Sequence, residues 1–295
     1  IAYSIDNGKN WIKYSNNPVL KNPGIRDFRD PKVTWDETHK QWIMVLAAQD
    51  RAQFYKSSNL KNWEFLSEFG KNIGAHGGVW ECPDFFPVKV EGSTEMKWVL
   101  LQSINPGGPN GGSATQYFVG DFDGKTFTLD NSFTHDLKQF GALWLDYGKD
   151  NYAGVTWSNI PDADGRKLFI GWMSNWEYAN KVPTKNWRSA TTIPRELKLL
   201  NTDGHYRIVS QPVKELDKYI SKTIKKELLT IDKTTVIVDK NTVDMARLDI
   251  RFTMNGLVED QYDFVLSNTA NNAIHFGINK MEKCFYVDRK KVSQI

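Results

Sequence analysis

Short apolar stretches rich in aromatic and β-branched residues recur along the first two hundred positions, and polar turns separate them. Stretches of this length and composition are typical of β-strands. Amphipathic helical patterns are scarce, and the best is a short one around residues 213–220. The sequence therefore predicts an all-β protein, with its clearest strands at residues 41–47, 97–103, 116–120 and 167–172.

A pattern of strand, polar turn and aromatic restart occurs three times. It begins at Tyr3, Tyr55 and Tyr117, at spacings of 52 and 62 residues. A second series, in which a charged turn opens a hydrophobic strand, interleaves with it at residues 40–42, 97–98 and 167–169. Recurring β units of about 50 residues are typical of propeller blades. A β-sandwich array is the alternative, but it explains the interleaved series less readily.

The composition changes after Pro212, where aromatic residues become rarer and Lys, Asp and Thr more frequent. Alternation continues at residues 236–238, 248–254 and 275–278. These features predict a β-propeller domain over residues 1–212 and a β-sandwich domain over residues 213–295. The second domain is expected to be small or incomplete.

Charge and cysteine content narrow the classes of partner. The net charge is only +3, and no basic stripe is interleaved with aromatics, so nucleic acid is not an expected partner. No apolar run approaches the roughly 18 residues of a membrane span. The two cysteines, Cys82 and Cys284, suggest neither a disulfide framework nor a zinc site. No motif calls for a metal or organic cofactor, and we expect a monomer.

Two short motifs carry the candidate chemistry: Phe-Arg-Asp-Pro-Lys at residues 28–32 and Trp-Glu-Cys-Pro-Asp at residues 80–84. Paired carboxylates on a stiff scaffold are what glycoside hydrolysis needs. One blade spacing separates Asp30 from Glu81, which predicts equivalent positions on neighbouring blades, facing one mouth of the channel. Cys82 is interpreted as a small buried neighbour of the site. The alternative is that each carboxylate caps backbone N–H groups of a turn.

These motifs resemble the two diagnostic motifs of glycoside hydrolase family 32, which holds invertases, inulinases and levanases. Further matching stretches lie at residues 145–153, 170–176 and 187–197, so the resemblance runs nearly end to end. It implies a five-bladed β-propeller followed by a β-sandwich.

The resemblance also implies roles for individual residues. Glu81 would be the general acid/base, with its pKa raised by neighbouring carboxylates and by an apolar wall of Trp80 and Phe85. Asp30 would stabilise the transition state, and Arg29 would hold the same sugar ring. The fructose pocket would be lined by Tyr152 and Trp172, although Trp172 could instead be a core residue.

One family motif is absent from residues 1–295. The family's nucleophile is an aspartate in a Trp-Met-Asn-Asp-Pro-Asn-Gly motif, and Asp6, in a hairpin turn, is a poor substitute. We therefore expect that the chain lacks the first blade and the nucleophile, that its sandwich is cut short, and that it is inactive as written.

The predicted function of the parent protein is retaining hydrolysis that releases fructose from levan, inulin or sucrose. The stretches at residues 176–178 and 183–184 resemble bacterial levanases and exo-inulinases more than plant invertases, which favours a fructan over sucrose. Exo action is expected over endo action, because a funnel closed at one end suits a terminal residue. A non-catalytic fructan-binding propeller, a fructosyltransferase and a purely structural propeller remain as alternatives. Because polymeric substrates are met outside the cytoplasm, we expect an extracellular or periplasmic location.

Overall fold

The computed structural model describes residues 1–227, 229–231, 233–239, 241–244 and 247–292. It divides into two compact units, Ile1–Tyr219 and Ile220–Ile295. Antiparallel sheets dominate both units, which confirms the all-β prediction. The predicted domain boundary after residue 212 stays a prediction. Among the described residues, no helix has the length and apolar character that crossing a bilayer requires.

Three sheets of the first unit have four antiparallel strands each, in chain order, as propeller blades do. The strands are β3 (Phe28–Asp36), β4 (Gln41–Ala48), β5 (Ala52–Ser57) and β6 (Glu64–Phe69) in the first blade; β7 (Val79–Lys89), β8 (Met96–Asn105), β9 (Ala114–Phe122) and β10 (Phe127–Leu129) in the second; and β11 (Tyr152–Thr156), β12 (Lys167–Trp172), β13 (Arg195–Thr202) and β14 (His205–Pro212) in the third. A hairpin of β1 (Ala2–Tyr3) and β2 (Ile12–Lys13) precedes them.

The two repeat series of the sequence correspond to defined strands. The tyrosine-led pattern covers the last two strands of the first and second blades, and the charged series opens the second strand of all three. The hairpin of β1 and β2 carries the same local structure as that of β5 and β6. The indole N–H of Trp11 donates to the carbonyl of Gly8 at 3.1 Å, and that of Trp63 donates to Leu60 at 3.0 Å.

The described residues contain one α-helix, α1 (Asn131–Phe140), which the sequence reading missed. The features of the sequence that indicate this helix are its capping residues at both ends. The Asp130 carboxylate accepts from the Ser132 N–H at 2.9 Å, and Gly141 ends the helix with φ 76°. Two 3-10 helices lie at Ala179–Lys181 and Lys214–Tyr219, the second within the predicted helical stretch.

Aromatic rings from different blades form the core of the first unit. Phe54 of β5 and Phe85 of β7 are fully buried and meet edge to face, with centroids 5.0 Å apart. Phe85 also stacks on Trp98 at 4.5 Å and meets Phe122 at 5.3 Å. Burying one such ring contributes roughly 1.5–3 kcal/mol, so these contacts hold the first two blades together.

The second unit contains one three-stranded antiparallel sheet of β15 (Gln261–Ser267), β16 (Ala273–Asn279) and β17 (Cys284–Lys291). This sheet agrees with the predicted partial sandwich, and β16 contains the predicted strand at residues 275–278. The strands predicted at residues 236–238 and 248–254 were wrong, because these residues form no regular strand. Alternation favours a strand, but a strand also needs hydrogen bonds to a neighbouring strand.

Candidate active site

The same irregularity interrupts the first strand of each blade. The ladder register shifts by one residue between Arg29 and Lys32 in β3, between Glu81 and Asp84 in β7, and between Tyr152 and Val155 in β11. Such a β-bulge inserts one extra residue and re-aims the side chains beside it. The site is therefore built from one backbone feature used three times.

Each bulge contains a non-glycine residue in the left-handed region: Asp30 at φ 60°, Cys82 at φ 46° and Ala153 at φ 54°. This conformation is uncommon for such residues. Proline follows Asp30 and Cys82, and because proline has no N–H, the interrupted ladder loses no donor there. Gly154 follows Ala153, where an added Cβ would lie 2.0 Å from the ring of Phe169.

These registers correct one expectation. Asp30 and Glu81 do not occupy equivalent positions, because Asp30 lies in its bulge whereas Glu81 precedes its own. The equivalent residues before the three bulges are Arg29, Glu81 and Tyr152. Equivalent positions of these two blades are 52 residues apart, as Arg29 and Glu81 or Asp30 and Cys82 are, whereas Asp30 and Glu81 are 51 residues apart.

The guanidinium of Arg29 joins three carboxylates. It donates to Oδ1 of Asp27 at 2.5 Å and to Oε1 of Glu81 at 2.8 Å, and its Nε lies 3.9 Å from Oδ2 of Asp30. The hydrogen bond to Glu81, followed by that to Asp27, raises the pKa of Arg29 above its ordinary value. One permanent cation therefore holds the two predicted catalytic carboxylates in one cluster.

The second oxygen of Glu81 accepts a hydrogen bond from the hydroxyl of Tyr152, which is 2% exposed. Burial, and then this hydrogen bond, raises the pKa of Tyr152, so the phenol stays a donor at neutral pH. The sequence predicted an apolar wall of Trp80 and Phe85 beside this carboxylate. Trp80 and Phe85 are 0% and 1% exposed and belong to the hydrophobic core.

Asp30 contacts the bulge of the neighbouring blade. Its Oδ2 accepts from the N–H of Cys82 at 3.0 Å and lies 3.5 Å from the Cys82 sulfur. The carboxylate thus makes a backbone contact of the kind that the capping alternative expected, while its side chain stays 30% exposed. Burial, and then the charge of Asp30, raises the pKa of Cys82 to about 12, so the thiol remains neutral.

Two tryptophans continue the site from Tyr152. Trp172, paired with Tyr152 across β11 and β12, is half-buried, with ring centroids 6.4 Å apart. The ring of Trp176 lies 5.0 Å from that of Trp172 and is 49% exposed. Exposed aromatic faces of this kind pack on the C–H edges of sugar rings. Trp172 therefore touches a predicted pocket residue on one side and an exposed ring on the other.

Sequence reasoning missed Asp27, whose carboxylate binds Arg29 and whose backbone is left-handed at φ 56°. Asp and Asn tolerate this conformation, so its position two residues before Arg29 was the only signal. Three carboxyl groups and one guanidinium thus meet in one cluster, and carboxylates placed in this way can stabilise a positively charged transition state. Within the described parts of the chain, no group of three or more potential ligands could hold a metal ion.

The fold and this cluster define a β-propeller protein with a carboxylate site where the first strands of its blades meet. The model of the glycosyl hydrolases family 32 N-terminal domain matches residues 1–212. The chain belongs to glycosyl hydrolase family 32.

Individual relatives agree with this assignment. Levanase of Bacillus subtilis (strain 168) is 46% identical over 293 residues, covering 99% of this chain and 42% of the levanase. An extracellular exo-inulinase of Meyerozyma guilliermondii is 38% identical over 302 residues, covering 99% of this chain and 56% of that protein. The crystal structure of exo-inulinase from Aspergillus awamori superposes with a TM-score of 0.80 at 29% identity, covering 100% of this chain and 59% of that one. The chain thus spans about half the length of its relatives.

Proposed function

We propose that the protein containing this chain is a retaining glycoside hydrolase that releases fructose from a β-fructan such as levan or inulin. The observation that carries the proposal is the bridge from Arg29 to Glu81 at 2.8 Å, with Asp30 beside the same guanidinium. The names of the relatives, levanase and exo-inulinase, support a fructan as substrate. The extracellular exo-inulinases also support a location outside the cytoplasm.

Glu81 acts as the acid/base in this proposal. It protonates the leaving oxygen and later takes a proton from the incoming water. Tyr152 and Arg29 each hold one of its oxygens and orient it. Asp30 stabilises the positive charge that develops on the fructosyl ring. Tyr152 and Trp172 line the pocket for that ring.

Retaining hydrolysis also needs a nucleophilic carboxylate about 5 Å from the acid/base. The family's motif for this residue does not occur in residues 1–295, so we assign the nucleophile to sequence beyond them. Experiments therefore use the protein expressed with the sequence that naturally flanks these residues.

The main test measures fructose release from levan, inulin and sucrose by Glu81→Gln and Asp30→Asn. Loss of a general acid should lower kcat by about 10²–10⁴-fold. Loss of the stabilising charge should lower it by about 10²–10³-fold. The matched control is Asp123→Asn, a carboxylate that accepts from the N–H groups of Lys125 and Thr126 in a turn. If both site variants, like this control, stayed within a few fold of wild type, the assignment would be wrong.

A chemical rescue separates the acid/base role from a structural one. Glu81→Ala should retain fructosyl transfer from an aryl fructoside with a good leaving group, since that step needs no proton donor. Added azide should then speed turnover and give a fructosyl azide of retained configuration. Binding of fructan by the wild-type protein without any product would instead favour a binding module. Dominant fructosyl transfer to sugar at high substrate concentration would favour a transferase.

A further inference from the structure

A second charged group joins the same three strands, three or four residues beyond the site. We call Arg29, Glu81 and Tyr152 the site layer. The clamp layer consists of Lys32 of β3, Asp84 of β7 and Thr156 of β11. Each layer takes one residue from the first strand of each blade, and the bulges lie between the layers.

The contacts of the clamp layer link all three strands directly. The Lys32 ammonium donates to the carbonyl of Thr156 at 2.5 Å and lies 3.6 Å from Oδ1 of Asp84. The Thr156 N–H donates to Oδ2 of Asp84 at 2.5 Å. The Asp84 side chain is 0% exposed and that of Lys32 is 16% exposed. This is a buried ion pair that also binds a backbone amide.

Such a group is costly to bury, so its place in the fold is informative. Burial raises the pKa of Asp84, and the charge of Lys32 and the N–H of Thr156 oppose that rise. Asp84 also interacts with Lys167 of β12, whose own pKa burial lowers. Oδ1 of Asp84 accepts no hydrogen bond, and the Lys32 ammonium lies 3.6 Å from it, which is the distance of an ion pair. Apolar residues of similar volume are often as stable as a buried ion pair, so stability alone does not account for these charges.

We propose that Asp84 and Lys32 are positioning residues, which lock the bulges at Asp30 and Cys82 and so fix the geometry of Glu81 in the site layer. Their equivalent positions, each three residues after a site-layer residue, place opposite charges on the strands that carry the two bulges. Thr156 extends the link to the strand of Tyr152. A displacement of about 1 Å at the reacting groups can cost about 10²-fold in rate, so loosening the clamp should reach the chemistry.

The variants Asp84→Asn, Lys32→Met and the double variant test this inference. Only the kinetic part rests on the proposed function. Asp84→Asn should lower kcat by about 10–100-fold with KM nearly unchanged, since it misplaces Glu81 without removing a sugar contact. The double variant should lose less than the product of the two single losses, because the pair acts as a unit.

The second readout needs no substrate. The thiol of Cys82 lies in the bulge against Asp30, so a loosened bulge should raise its alkylation rate by about tenfold or more, with Cys284 unchanged. The matched control is Asp136→Asn, another buried carboxylate (1% exposed), which pairs with Arg207 at 2.5 Å. It should lower thermal stability but leave Cys82 reactivity and kcat per folded molecule unchanged.

The proposed function and the positioning role of Asp84 and Lys32 can be contradicted independently. A wild-type protein without fructan hydrolysis overturns the proposed function, and Cys82 alkylation still decides the clamp. A folded Asp84→Asn protein that alkylates Cys82 at the wild-type rate overturns the clamp. If no variant folds, native-state hydrogen exchange on the wild type decides instead. The amides of Cys82 and Thr156 should share one opening free energy, and different values overturn the link.

Discussion

The two units are built from the same kind of antiparallel strand but differ in how they bury apolar side chains. In the first unit, rings such as Phe54 and Phe85 are sealed between blades. Among the described residues of the second, Phe264 and Phe276 are only half-buried, and Phe285 is 85% exposed. Strand pairing therefore does not by itself produce a core, which also needs a second layer against the apolar face.

The largest expected difference concerns loss of an aromatic ring. Phe54→Ala should lower the free energy of unfolding by about 3–5 kcal/mol, because it leaves a cavity in a sealed core. Phe264→Ala removes a ring that stacks on Phe252 at 4.4 Å and should cost about 1 kcal/mol.

All eleven tryptophans lie within Ile1–Tyr219, so urea unfolding followed by tryptophan fluorescence reports the first unit alone. Hydrogen exchange in β15–β17 reports the second. Equal losses would show that the contrast in burial has no energetic meaning.

The next difference concerns the two thiols. With a pKa of about 12, Cys82 is only about 10⁻⁴ thiolate at pH 8 and should alkylate about 10³-fold more slowly than a thiol of ordinary pKa. Cys284 has one carboxylate, that of Glu282, 3.8 Å from its sulfur and serves as the comparison. Iodoacetamide labelling with peptide mass spectrometry from pH 7 to 11 measures both rates. The Cys82 rate should still be rising at pH 11, and a plateau near pH 9 would contradict its environment.

The smallest difference concerns the stability of ion pairs in acid. Arg166 binds both Asp164 and Glu215 and lowers the pKa of each to about 2. Because both pKa values fall on folding, their stabilisation is complete above about pH 4.5 and is lost as the pH falls towards 2. Arg166→Met should therefore lower Tm slightly at pH 7 and not at pH 2.

Arg251→Met is the counterpart in the second unit, where Arg251 pairs with Asp249 at the surface. The Arg251 side chain is 73% exposed, whereas that of Arg166 is 15% exposed. Arg251→Met should therefore destabilise the second unit, measured by hydrogen exchange, less than Arg166→Met destabilises the first. A Tm difference for Arg166→Met that stayed constant between pH 7 and pH 2 would contradict the ionic origin.

The sequence predicted the blades because their repeats reflect strand order, which local patterns record. It also predicted that five residues belong to one site: Arg29, Asp30, Glu81, Tyr152 and Trp172. The contacts in the structure join these residues. Their catalytic roles stay predictions.

The sequence did not predict the bulges, because the left-handed positions Asp30 and Cys82 are not glycines and lie within strands rather than at turns. The register of the strands was therefore unknown, and Asp30 was matched with Glu81 rather than with Cys82. Asp84 was overlooked because a buried carboxylate in an apolar strand can be interpreted only when its cation, Lys32, is known to lie beside it. Pairings of this kind depend on contacts between blades, which no local pattern records.

The three bulges also bear on how such a protein can change. One backbone shape presents a cation at Arg29, an acid at Glu81 and a phenol at Tyr152, so the shape does not dictate the chemical group it carries. After duplication of a blade, a single codon change at this position can introduce a new reactive group without remodelling the strand. The fold therefore lets chemistry diverge faster than architecture.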